Sequence, residues 1–155
     1  VPGFEADDLI ASIAQKVSEA GGRVTVLSTD KSFCQLISSS VSVYDHFAAQ
    51  SRDTEYVRQR FGVEPEKLAE LFALAGDSSL HIPGAPGIGL RTAAKLLGDY
   101  GDLESVLAAV GEIPGSRGRK IQDATEAIML AQRLVTLRSD VNIGANLNQF
   151  RYSAE

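Results

Sequence analysis

The run Ile82-Pro83-Gly84-Ala85-Pro86-Gly87-Ile88-Gly89 constrains this chain more than any other stretch. Proline fixes φ and removes a backbone donor, and glycine admits conformations closed to other residues, so such a run neither continues a helix nor sits inside a sheet. A loop is therefore expected from Gly76 to Gly89, and the apolar spacing from Leu90 to Leu97 predicts a helix opening directly from it. Gly87 and Gly89 clear the side chains on either side of Ile88. Backbone amides at that helix start can then approach an anion closely while Ile88 anchors inward.

Upstream, Leu9, Ile10, Ile13, Ala14 and Val17 recur at the spacing of one buried stripe and predict a helix from Glu5 to Ala20, ended by Gly21-Gly22. The β-branched run Arg23 to Ser28 predicts a strand, Phe33 to Ile37 a short helix, and Val41 to Tyr44 a second strand. In a parallel sheet ligands gather at strand carboxyl ends, which is where Asp30 falls. Beyond about residue 52 strands are expected to stop. Thr54 to Phe61, Glu66 to Ala75 after Pro65, Leu103 to Val110 and Lys120 to Leu137 all read as helical, and the tail from Asn142 has weak periodicity. The fold class is α/β, with no linker that would separate the halves.

Length and charge narrow the function classes. A chain of 155 residues, 44% hydrophobic, can bury one core, and charged residues interrupt every apolar stretch before it reaches the roughly 20 residues of a membrane span. Cys34 is the single cysteine, so an intrachain disulfide or a cysteine-cluster zinc site is excluded, and its apolar neighbours make it a core residue. A reducing compartment suits this composition. The net charge of −5 argues against a histone-like polyanion surface. The charge is nevertheless segregated: Glu5 to Asp8 holds three acids and no base, Ile82 to Leu97 holds Arg91 and Lys95 and no acid, and Pro114 to Gln122 holds Arg117, Arg119 and Lys120 and no acid.

Glu5 and Asp8 are three residues apart at a helix start with Asp7 beside them, a cluster of hard oxygen ligands suited to Mg²⁺ in phosphate-ester hydrolysis. Acids in a first helical turn also complement the helix dipole without any ion. Asp30 and Asp77 are further metal candidates, although each taken alone reads more readily as a turn former or helix cap. The Gly76–Gly89 loop paired with the helix before it would form a helix-hairpin-helix reader of the DNA backbone, which positions a duplex without reading bases. A dinucleotide-binding turn fits less well, because no strand precedes these glycines. The carbonyls of Leu74 and Ala75 end a helix, where partial negative charge suits a monovalent cation. His46 and His81 lack any paired-ligand spacing, and the three bases at 117 to 120 read as phosphate contacts or as a solvated loop.

Taken together, Glu-Ala-Asp-Asp at 5 to 8, Ser-Thr-Asp-Lys at 28 to 31, Gly-Asp-Ser-Ser at 76 to 79 and Ile-Pro-Gly-Ala-Pro-Gly-Ile-Gly at 82 to 89 resemble the 5′ nuclease family of flap endonucleases and polymerase-associated 5′-to-3′ exonucleases. With Phe33-Cys34-Gln35-Leu36, the chain is most similar to the Xni-type subgroup. The resemblance implies part of a PIN-like nuclease core over residues 1–60, a helix-three-turn-helix DNA-binding region over 61–140 and a tail over 141–155. It implies Mg²⁺-dependent cleavage of branched or 5′-flap DNA without base specificity, by a monomer in a bacterial cytoplasm. Glu5, Asp7 and Asp8 would be the catalytic metal-site acids, Asp7 foremost. Gly87, Ile88, Gly89, Leu90, Arg91 and Thr92 would contact DNA, with Lys95 a further candidate. Leu74, Ala75, Pro83, Ala85 and Ile88 would offer backbone carbonyls to K⁺.

Two departures qualify the resemblance. Many members carry a second acid two residues after the position of Asp30 and another three after that of Asp77, where this chain has Ser32 and Leu80. The second metal site is thereby impoverished, as in Xni-type members. The chain also begins Val1-Pro2-Gly3-Phe4, without the first strand, further aspartates and arch of the family, so it is expected to be a carboxy-terminal part with little hydrolysis of its own. The competing expectation is a structure-specific DNA-binding module whose acids are only structural.

Overall fold

A computed structural model describes residues 2–144, 146, 148 and 151–152. Helix α1 (Ala6–Glu19) leads into strand β1 (Val24–Leu27), and β1 pairs in parallel with β2 (Val41–Asp45), with Val26 opposite Val43. Gly22 ends α1 at a point where a Cβ would press within 2.6 Å of the Val17 side chain. The crossover between the two strands is a 3₁₀ helix, Lys31–Leu36, where a short helix over Phe33 to Ile37 was expected. Asp30 caps it by accepting the Ser32 N–H at 2.7 Å, and Phe33 and Cys34 enter the core.

A third strand, β3 (Gln50–Arg52), runs antiparallel to β2, and the sequence pattern gave no sign of it. Its polar residues read as a loop, but tertiary contacts hold it in the sheet. Asp45 Oδ1 accepts the N–H groups of Phe47 and Ala48, which turns the chain back, and Arg52 donates to Asp45 Oδ2 at 2.7 Å and to the Thr29 carbonyl at 3.0 Å.

Helix α2 (Thr54–Phe61) starts on the Asp53 cap and ends at Gly62, φ 76°. A 3₁₀ turn, Pro65–Lys67, then feeds α3 (Leu68–Ala75), whose Leu68, Leu71, Ala73 and Leu74 are fully buried. A helix apolar on nearly all sides belongs at the centre of a fold, and α3 packs against both α4 (Leu90–Tyr100) and the last helix.

Between α3 and α4 the expected loop contains a two-residue antiparallel pair, β4 (Gly76–Asp77) with β5 (Ile82–Pro83). So strands do recur after residue 52. Helix α5 (Leu103–Ala108) is capped by Asp102 and stops short of Val110. The single helix expected over Lys120 to Leu137 is two, α6 (Arg117–Asp123) and α7 (Thr125–Val135). The break falls where Thr125 Oγ1 bonds back to the Ile121 and Gln122 carbonyls, competing with the helical ladder. No described helix is long and apolar enough to cross a membrane. Of the tail expected over 141–155, Val141 is buried against α1 through a hydrogen bond to Ser12 Oγ, and residues 145, 147, 149–150 and 153–155 lie outside the described residues.

One continuous core, from Val26 and Val43 through Leu71 and Ala93 to Ile128, joins the sheet half to the helical half. That continuity fixes the acids of the first helix relative to the glycine-rich turn.

Candidate functional site

The three acids at the start of α1 do not all point the same way. Successive helical residues project about 100° apart, so Asp7 and Asp8 face different neighbours. Asp8 turns toward the segment after α7 and accepts the Arg138 backbone N–H at 2.9 Å. Asp7 is half-buried, and burial pushes its carboxyl above the usual range. The negative charge of Asp30, then those of Glu5 and Asp8, pushes it further the same way. The structure therefore brings Asp30, from the carboxyl end of β1, to the side of Asp7. Glu5 stands exposed just before the helix.

Carboxylate oxygens are the chemistry Mg²⁺ prefers, and an acid raised by its neighbours' negative charge, as Asp7 is, is one a cation would relieve. Yet among the described residues no three acidic, histidine or cysteine side chains converge closely enough to hold a metal ion by themselves. Asp77 lies apart from this group in a different environment. Burial alone would raise its pKa, but hydrogen bonds from Lys31 and Ser79 and the Lys31 charge outweigh that and hold it low.

The glycine-rich turn is built on close backbone contact. A Cβ on Gly84 would overlap the Ala75 carbonyl and the Gly76 nitrogen, so β4 and the segment just after β5 can lie against the end of α3 only with glycine at both places. The Ala85 N–H donates to the Leu74 carbonyl at 2.9 Å, and the Ile88 N–H to the Ala85 carbonyl at 3.0 Å. Leu74, Ala75, Pro83, Ala85 and Ile88 are thus gathered around one turn at the carboxyl end of α3. Ala85 and Ile88 are buried, as an inward anchor requires.

Gly89 precedes α4 with no side-chain cap, and the first intrahelical bond is Ala93 N–H to the Gly89 carbonyl. The amides of Leu90, Arg91 and Thr92 therefore have no partner within the helix. Gly87, φ 77°, lies on the exposed side of the turn, and Arg91 is exposed beside it. Lys95 is paired with Asp99 at 2.6 Å one turn along, which offsets its charge.

The bases at 117 to 120, read from the sequence as phosphate contacts or as a solvated loop, lie on a short helix, and one of them reaches the turn. Lys120 of α6 brings its ammonium to 3.2 Å from where a Gly87 Cβ would stand. Helix α6 approaches because Gly118 lies under the Val110 carbonyl, where any Cβ would collide. Arg117 and Arg119 are exposed on the same short helix. His46 sits in the exposed β2–β3 turn, and His81 adopts φ 54° in the β4–β5 turn.

Residues 1–62 match the family described as 5′-3′ exonuclease, N-terminal resolvase-like domain, and residues 63–155 that described as 5′-3′ exonuclease, C-terminal SAM fold. The flap endonuclease Xni of Edwardsiella ictaluri is 40% identical over 97% of this chain and 59% of its own length. That of Aeromonas hydrophila is 43% identical over 96% of this chain and 56% of its own. The chain thus spans under three-fifths of the length of these relatives. A solved bacteriophage T5 5′-exonuclease with bound zinc superposes with a TM-score of 0.80 at 23% identity, over 88% of this chain and 51% of that one. The catalytic core of Rad2 with DNA substrate superposes at 0.52 and 14% identity, over 89% of this chain and 50% of that one. These two likenesses establish a shared fold: an α/β core followed by a mostly helical region. With sequence matches covering both regions end to end, this chain belongs to the 5′-3′ exonuclease family.

Proposed function

We propose that this chain is the duplex-binding part, and a portion of the catalytic core, of a structure-specific 5′ flap endonuclease and 5′-to-3′ exonuclease. Its substrate is branched or 5′-flap double-stranded DNA, bound as a monomer without base specificity. The observation that carries the reading is the turn at Gly87. Amides of Leu90, Arg91 and Thr92 left without a partner inside the helix, the exposed Arg91 side chain and the Lys120 ammonium all belong to one exposed glycine turn. Amides and lysines of this kind hold phosphate oxygens and leave base edges untouched. Relatives named as flap endonucleases, and a T5 structure titled as bound to DNA and metal ions, support it.

Leu74, Ala75, Pro83, Ala85 and Ile88, gathered around that turn, would offer backbone carbonyls to K⁺, which would tie the turn to a phosphate oxygen. Asp7, with Glu5, Asp8 and Asp30 as partners, is the acid for Mg²⁺; such an ion, when bound, orients the phosphate and lowers the pKa of a water. The described residues supply too few converging oxygens for that alone. By itself the chain therefore binds duplex and hydrolyses little. The same shortage favours the second reading, a DNA-binding module whose acids are structural, and Asp7→Asn in the complete protein separates the two. It abolishes cleavage and spares duplex binding if the nuclease reading holds.

The direct test is binding of this chain to a 5′-flap duplex and to single-stranded DNA, in K⁺ and in Na⁺ at matched ionic strength with chelator present. Duplex preference that K⁺ strengthens and Gly87→Glu removes is the expected result. Absence of duplex binding in either salt would overturn the reading for this chain.

A further inference from the structure

Asp77 is an acid placed as a metal ligand would be, with a cation already in place. Its side chain is 1% exposed. Its Oδ1 accepts from the Lys31 ammonium at 2.7 Å, from the Ser79 amide at 2.9 Å and from the Ser79 hydroxyl, while Oδ2 is buried with no partner among the described residues. Lys31 donates as well to Ser79 Oγ at 2.6 Å and lies 5.4 Å from the centre of the Phe72 ring. An ammonium with two oxygen acceptors and an aromatic face is held on several sides.

The local sequence explains why the lysine arrives there. Asp30 fixes the start of the 3₁₀ helix through Ser32, which sets the direction of the next side chain. Lys31 then crosses from the sheet half to β4 in the helical half. Among the described residues Asp77 is paired with a single charge, and that charge is Lys31. A divalent ion approaching Oδ2 would sit close to a fixed ammonium of like sign in a partly water-excluded place.

We propose that the Lys31 ammonium is the resident cation of the Asp77 site, taking the place of a second divalent ion. Lys31 is thereby a positioning residue: it neutralises Asp77, ties the turn to the Asp30 side and, among the described residues, leaves divalent-ion uptake to the Asp7 and Asp30 acids. Only the consequence for cleavage rests on the nuclease reading; the pairing and its test stand without it.

The test counts Mn²⁺ bound by the whole chain, by electron paramagnetic resonance of free Mn²⁺, in wild type, Asp77→Asn, Lys31→Met and the Lys31→Met, Asp77→Asn pair. Methionine keeps the stem against Phe72 and removes the charge. Wild type and Asp77→Asn are expected to bind the same number of ions, Lys31→Met one more, and the double variant the wild-type number again. Loss of an ion in Asp77→Asn, or no added ion in a folded Lys31→Met, would overturn the proposal. If Lys31→Met does not fold, the wild-type and Asp77→Asn comparison decides: an equal count supports it and a lower count overturns it. A chain that fails to bind flap DNA would sink the nuclease reading and leave these counts unchanged.

Discussion

Gly76 and Gly84 lie so close across the β4–β5 turn that a Cβ on Gly76 would stand 2.5 Å from the Gly84 nitrogen. Gly76 also has φ 82°, which side chains disfavour. Overpacking against backbone cannot be relieved by a rotamer change, so Gly84→Ala is expected to cost at least about 2 kcal/mol. It should also separate the Ala75 carbonyl from the turn. Urea unfolding would show the loss, and the K⁺ enhancement of duplex binding should disappear in the fraction that remains folded. An unchanged midpoint would mean that the turn relaxes freely.

Lys120 stands at Gly87 from a helix more than thirty residues further along the chain. If it contacts phosphate, Lys120→Ala should weaken duplex binding for every sequence alike and reduce the slope of log affinity against log salt by about 1. Arg119→Ala is the control on the same helix. Fluorescence anisotropy across a salt series measures both, and an unaltered slope in Lys120→Ala would place that lysine away from the DNA.

Asp7 carries its negative charge among those of Asp30, Glu5 and Asp8. Its folded pKa is raised above the unfolded value, so the folded chain gains stability as pH falls through the raised value toward the unfolded one. In chelator at neutral pH the ionised Asp7 is therefore a burden on the fold. Asp7→Asn should raise the melting temperature under those conditions and should reduce the further rise that Mn²⁺ brings. A lower melting temperature in chelator would contradict this arrangement of charges.

Asp77 and Asp45 behave oppositely. Hydrogen bonds from Lys31 and Ser79 hold Asp77 low against the cost of its burial, and the Ala48 amide first, with Arg52 and Phe47 behind it, holds Asp45 low. Both contribute stability that is fully present above the unfolded carboxylate value of about 3.9 and is lost as pH falls through the folded values. Urea midpoints measured from pH 7 down to pH 2 should fall along this limb. Asp77→Asn should start lower at pH 7 and fall less steeply.

The local record was enough for α1, for β1 and β2 and for the turn at Gly87, because each depends on spacing or on a residue's own conformational range. Leu9, Ile13 and Val17 mark one helical face wherever the rest of the chain goes, and prolines and glycines end helices without outside help. Membership in the nuclease family was legible too, since it rests on the order of short motifs. Strand β3 was not, because Gln50, Ser51 and Arg52 have no strand pattern and are held by Asp45 and Thr29. The division of α6 from α7 was hidden for a similar reason: Thr125 can support a helix or break it, and packing decided.

The acids show the same boundary at the candidate site. Sequence determined that Glu5, Asp7 and Asp8 share one helical turn, and that Asp30 and Asp77 follow a strand and a helix. Only the tertiary structure decided that Asp8 serves the Arg138 backbone, that the Asp30 charge acts on Asp7, and that Asp77 belongs to Lys31, 46 residues away. Charges act through space according to their distance and burial, and no spacing along a chain states which distant side chain will occupy that space.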